Sequence, residues 1–64
     1  MKNKIKELRK AAGMRQEDFA REMGVTRQTI IAIENNKYDP TLELAMKISR
    51  FFGLSVNEIF SLEE

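Results

Sequence analysis

The sequence predicts an all-α fold, a compact bundle of five short helices formed by one domain spanning residues 1–64. Two observations carry that expectation. Apolar residues recur at helical spacing: Ile5 and Leu8; Phe19, Ala20 and Met23; Ile30 and Ile33; Leu44, Ala45 and Ile48. Stop and start residues punctuate those runs. Gly13, Gly24, Asn36 and Gly53 follow the first four, while Thr26, Thr41 and Ser55 stand where a helix needs a capping oxygen.

The first helix is expected from Lys4 to Ala12, burying Ile5, Leu8 and Ala12, with Gly13 as a left-handed terminating residue. The second runs from Gln16 to Met23, and Gly24 suits a turn with positive φ. The third runs from Arg27 to Asn35 behind the cap Thr26. Asn36 then takes the left-handed position, which asparagine tolerates better than most residues. Asp39-Pro40 disfavours helix at Asp39 and marks a turn. Thr41 caps a fourth helix from Leu42 to Phe52, whose buried stripe is Leu44, Ala45, Ile48 and Phe51 or Phe52. Ser55-Val56-Asn57-Glu58 is a capping box for a short fifth helix ending near Phe60. The tail, Ser61 to Glu64, is not expected to be helical for long.

Composition narrows the function. A chain of 64 residues has a modest core and little room for a buried catalytic pocket. The absence of Cys excludes disulfides and thiolate metal sites, and the absence of His removes the commonest general base and metal ligand. Carboxylates alternate with Lys and Arg in surface-like patterns, so no enzyme, no metal and no cofactor is expected. No apolar run approaches the ~20 residues of a membrane span, and no signal-type segment follows the basic start, which fits a cytoplasmic protein. The net charge of +1 hides an asymmetry. Residues 1–37 hold nine Lys or Arg against five acids, whereas residues 38–64 hold two against five. The basic half is the electrostatic footprint that nucleic acid would require, although chance asymmetry on a solvated surface gives the same count.

The stretch QEDFAREMGVTRQTIIAI, Gln16 to Ile33, packs the most information into the fewest residues. It holds a short helix, a Gly-centred turn and a second helix whose outer face carries Arg27 and Gln28. Ala20 is small enough for two helices to cross closely. This is the layout of a helix-turn-helix, which presents its second helix to the DNA major groove. The spacing of Gln16, Ala20, Gly24, Val25, Ile30 and Ile33 resembles that of the XRE family of small regulators, the Cro and phage-repressor type. So do the flanks, with Ile5, Leu8 and Arg9 before the motif and RQTIIAIENNKYDP through and after it. The resemblance covers about the whole chain and implies a lambda-repressor-like fold.

Candidate site residues follow. Arg27 and Gln28 open the recognition helix, where Arg can donate to guanine O6 and N7 and Gln can pair with adenine. The resemblance implies base contact at Gln28 and base or phosphate contact at Arg27. Ile31 lies off the core pair Ile30/Ile33, and either touches thymine methyl groups or is half-buried against the second helix. Gln16, Thr26, Asn35, Lys37 and Tyr38 are phosphate candidates, Gln16 at a helix N-terminus that favours anions. Tyr38 packs alternatively on the fourth helix. Arg15 departs from the Ser or Thr usual in the family. It is a poor cap, offset by Glu17 and Asp18, and either adds a phosphate contact or sits at a tolerant site. Arg9 and Glu34 look like the charge pair that joins the first helix to the end of the third in several phage repressors. The alternative is two unrelated surface charges.

The C-terminal apolar cluster, Phe52, Val56, Ile59, Phe60 and Leu62, exceeds what five short helices cover. Phe60 and Leu62 are therefore expected as a homodimer contact, or else as a lid on the core. The expected function is a sequence-specific regulator of double-stranded DNA, a repressor acting as a homodimer on a two-fold symmetric operator, with no small-molecule ligand. The competing reading is a protein-interaction module such as an antitoxin or adaptor. The basic first half and the outward Arg27 and Gln28 favour DNA.

Overall fold

A computed structural model describes residues 1–62. Its elements are β1 (Lys2–Asn3), α1 (Ile5–Ala11), α2 (Gln16–Met23), α3 (Arg27–Glu34), α4 (Leu42–Phe52), α5 (Val56–Ile59) and β2 (Phe60–Ser61). The five expected helices are present, each within one residue of its expected bounds. Glu63 and Glu64 of the expected non-helical tail lie outside the described residues.

One device ends four helices. At the close of α1, α2, α3 and α4 a residue with φ between 61° and 73° reverses the chain: Gly13, Gly24, Asn36 and Gly53. In each case the following N–H reaches five residues back, as from Lys37 to the Ala32 carbonyl at 2.8 Å and from Met14 to Arg9 at 3.1 Å. These are Schellman closures, which satisfy the carbonyls a helix end leaves open. Among the described residues Asn36 is the non-Gly residue with positive φ, as its amide chemistry allows. At the other ends, Thr26, Thr41 and Ser55 accept from the N–H three residues on. Glu58 completes the capping box at α5.

Ile5, Phe19, Ile30, Ile33, Ile48 and Ile59 are fully buried and form the centre of the core. Ala20 of α2 is buried with them. The Phe19 ring stacks on Phe52 at 5.4 Å and meets Phe51 edge-on at 5.7 Å, which ties α2 to the end of α4. Ala12 corrects the expected core: it is exposed. The buried row of α1 follows Ile5 to Arg9, so the row from Leu8 to Ala12 falls at its margin, and Ala12 serves as the cap position outside the helix.

The two short strands were not expected. β1 pairs antiparallel with β2, with Lys2 opposite Ser61 and Asn3 opposite Phe60. Two residues per strand carry too little alternation to be read from sequence. Phe60 is thereby turned into the core at 7% exposure.

Candidate nucleic-acid interface

The motif is built from α2 and α3, which pack on each other on either side of the Gly24 turn, with Ala20 buried. On the outward side of α3, Arg27 and Gln28 are exposed in the first turn. Among the described residues neither has a side-chain partner, so both donor sets are open. Ile31, one turn on, is half-buried, which matches the more covered of its two readings while leaving part of the side chain at the surface. Ala32 beside it is likewise half-buried.

Behind α3 the charges are paired. Arg9 Nε donates to Glu34 Oε2 at 2.7 Å and Arg9 Nη2 to Glu34 Oε1 at 3.1 Å, a two-pronged contact. The two side chains are 7% and 3% exposed, so the pair is buried rather than two unrelated surface charges. The remaining prong, Nη1, donates to the Met14 carbonyl at 2.8 Å. Gln16 Nε2 donates to Glu34 Oε1 at 3.2 Å. One carboxylate thus joins the last turn of α3, the body of α1 and the first residue of α2. No buried side-chain nitrogen or oxygen among the described residues lacks a partner, the condition under which a buried ion pair is tolerated.

Gln16 therefore holds a second task besides any phosphate contact. Its amide carries two hydrogens and only one is used by Glu34. The Thr26 hydroxyl caps α3, accepting from Thr29 N–H at 3.3 Å. Asn35, Lys37 and Tyr38 are all exposed at the close of α3. Tyr38, 46% exposed, lines a shallow groove with Thr41 and the α4 residues Leu44 and Lys47.

Arg15 shows why a poor cap is tolerated. Its backbone N–H is accepted by Asp18 Oδ2 at 3.1 Å, and its Nε donates to the same oxygen at 3.3 Å. Asp18 thus makes its own half of a capping box, the bond to the N-cap N–H, while Arg15, which has no acceptor, cannot return the other half. The Arg15 backbone N–H, and then its side chain, hold the Asp18 carboxyl below its ordinary pKa. The Arg15 guanidinium is held above its own by its hydrogen bond to Asp18 and by the charges of Asp18 and Glu17.

Sequence reasoning missed Asn3. Its Nδ2 donates to the Ile33 carbonyl at 2.9 Å and to Asn36 Oδ1 at 3.3 Å, and its Oδ1 accepts from Ile5 N–H at 3.1 Å. The N-terminal amine of Met1 lies 3.3 Å from Asp39. The start of the chain is thus fastened to the turn that follows α3. Partners 30 residues away leave no local signal. The expected contact pair divides: Phe60 lies in the core and is withdrawn from the expected dimer surface, whereas Leu62 is 85% exposed.

An exposed Arg-Gln pair at the start of a braced second helix is the arrangement of a helix-turn-helix DNA reader, and the helix-turn-helix family model matches residues 5–59. The chain belongs to the XRE, or Cro and phage-repressor, family of helix-turn-helix regulators. It is 55% identical over 64 residues to the HTH-type transcriptional regulator MJ0272 of Methanocaldococcus jannaschii, covering all of this chain and 97% of that protein. It is 50% identical to the HTH-type regulator YgzD of Bacillus subtilis, again covering all of this chain and 97% of the relative. The Vibrio cholerae cryptic phage CTXphi transcriptional repressor RstR is 34% identical over 97% of this chain and 56% of its own length. Regulators of this family bind double-stranded DNA and are not enzymes. Among the described residues no helix is long and apolar enough to cross a membrane.

Proposed function

We propose that this protein is a sequence-specific repressor that occupies a two-fold symmetric operator as a homodimer. The supporting observation is the contrast on α3: open Arg27 and Gln28 at its start, a buried ion pair at its end. Arg27, Gln28 and the exposed part of Ile31 read base edges in the major groove. Gln16, Thr26, Asn35, Lys37, Tyr38 and Arg15 flank them as phosphate contacts, which fix register without reading sequence. Arg15 is the weakest of these, because its guanidinium already faces Asp18. The relative named as a phage repressor supports repression. A two-fold pair doubles the length of DNA read, with recognition helices about 34 Å apart.

Selection of bound sequences from a random DNA pool tests this reading. An enriched motif with inverted symmetry is expected. Affinity for that motif should fall with salt, each neutralised phosphate adding about −0.9 to the log–log slope. Affinity that stays flat from low to moderate salt would sink the DNA-reading proposal.

A further inference from the structure

We propose that a second copy of this chain seats on the outward face of α4, in antiparallel two-fold contact centred on Met46. The proposal rests on the homodimer reading above and supplies its surface.

α4 is apolar on both sides. Leu44, Ala45 and Ile48 face the core, yet Leu42 is 75% and Met46 59% exposed one turn apart on the opposite side. With Glu43, Lys47 and Arg50 they line a shallow groove of about 420 Å³. A large exposed Leu beside an exposed Met on one helix is an apolar patch with a polar rim, the mark of a contact surface. None of these residues belongs to α2 or α3, so the reading residues stay uncovered.

The charges select the occupant. Glu43 stands in the first turn of α4 and Arg50 in the last. Among the described residues Arg50 has no acidic partner, and Glu43 has only Lys47 at 3.9 Å. A two-fold axis through Met46 places Leu42 of one copy opposite Arg50 of the other, because both lie four residues from the axis. The aliphatic stem of Arg50 then covers Leu42 while its guanidinium reaches the neighbouring Glu43. The same pairing repeats across the axis, as an isologous contact demands. A parallel arrangement would set acid on acid and base on base. At the C-terminal end Leu62 is the one large apolar side chain fully exposed among the described residues, since Leu54 and Val56 are half-buried and Phe60 is in the core.

The contact is small. Eleven residues of helix span about 16 Å. One helix face of that length and about 10 Å width offers on the order of 160 Å², well short of the roughly 800 Å² per partner of a stable interface. The two copies therefore meet on the operator, where adjacent half-sites hold them together, and separate off DNA.

The chain has no Cys, so one introduced thiol is unique. Met46→Cys and Leu62→Cys are each bound to the selected symmetric duplex, oxidised mildly, and run without reductant, while wild-type complex mass is measured in parallel. Met46→Cys should cross-link two copies and Leu62→Cys should not. Arg50→Glu should abolish cooperative filling of the two half-sites without changing affinity for a single half-site, and Glu43→Arg with Arg50→Glu should restore it. Cross-linking at Leu62 instead, or a double variant no better than Arg50→Glu alone, overturns the α4 contact while a wild-type mass of two copies per duplex keeps the homodimer. One wild-type copy per symmetric duplex overturns both.

Discussion

At the C-terminal end of α3, Glu34 accepts three hydrogen bonds from two other segments, and Asn3 clamps the Ile33 carbonyl and the Asn36 side chain. At its N-terminal end, the Arg27 and Gln28 side chains have no partner among the described residues. The same eight-residue helix is thus held from behind and open in front. A reading helix this short is not stable alone. Its orientation comes from packing and from the knot behind it, which frees its first turn to be chosen for DNA and not for folding. Substitutions at the two ends should therefore separate stability from recognition.

The largest effect is expected at the closed end. Glu34→Ala leaves Arg9 as an unpaired buried cation and should destabilise the fold by about 3–5 kcal/mol. Glu17→Ala, at an exposed position, should cost far less. Urea melts of Arg9→Ala, Glu34→Ala and the double variant measure the coupling. Strictly additive losses would mean that the 2.7 Å contact contributes nothing beyond its separate parts.

At the open end, Gln28→Ala should leave the melt nearly unchanged and cost about 1–3 kcal/mol of discrimination at one or two base positions. Matched and mismatched duplexes, compared by titration, measure this. Equal weakening on every duplex would assign Gln28 to the backbone instead, and the contrast between the two ends would lose its specificity half.

Much of this division was readable in advance because its signals are local. Thr26, Thr41 and Ser55 cap as expected because the acceptor and the N–H it satisfies are three residues apart. Asn36 takes positive φ because its own side chain permits it. Arg9 and Glu34 are 25 residues apart, and only the family resemblance brought them together. What stayed hidden depends on distant partners. The β1–β2 ladder joins the two ends of the chain, and Asn3 reaches α3 across 30 residues. Phe60 illustrates the cost: sequence leaves it open between a dimer contact and a lid on the core, and only its pairing with Asn3 turns it inward. Ala12 failed for a smaller reason, the choice between two adjacent rows of α1.

A milder test lies just past the closed end. Lys37 donates its backbone N–H into the α3 closure, while its side chain is exposed and unpaired among the described residues. Lys37→Ala keeps the backbone bond and removes the charge. It should weaken all duplexes alike and make the log–log salt slope shallower by about one unit. Binding isotherms at several salt concentrations give that slope. An unchanged slope would remove Lys37 from the phosphate contacts and confine the interface to the first turn of α3.

The smallest effect concerns the start of α2, where Asp18 substitutes for the missing cap. Its carboxyl is held below its ordinary pKa chiefly by the Arg15 backbone N–H. A carboxyl with a lower pKa folded than unfolded adds stability that is complete above the unfolded value, about 3.9 for Asp. That stability is lost as pH falls through the lower folded value. Asp18→Asn should therefore be less stable than wild type at about pH 6, and the gap should narrow as the pH is taken below about 4. Arg15 stays charged throughout, so the change belongs to Asp18. Urea midpoints of the two proteins across that range measure the gap. A gap that holds constant into acid would mean that the carboxylate charge does not cap α2. The tolerance of Arg15 in place of Ser or Thr would then have to rest on helix packing alone.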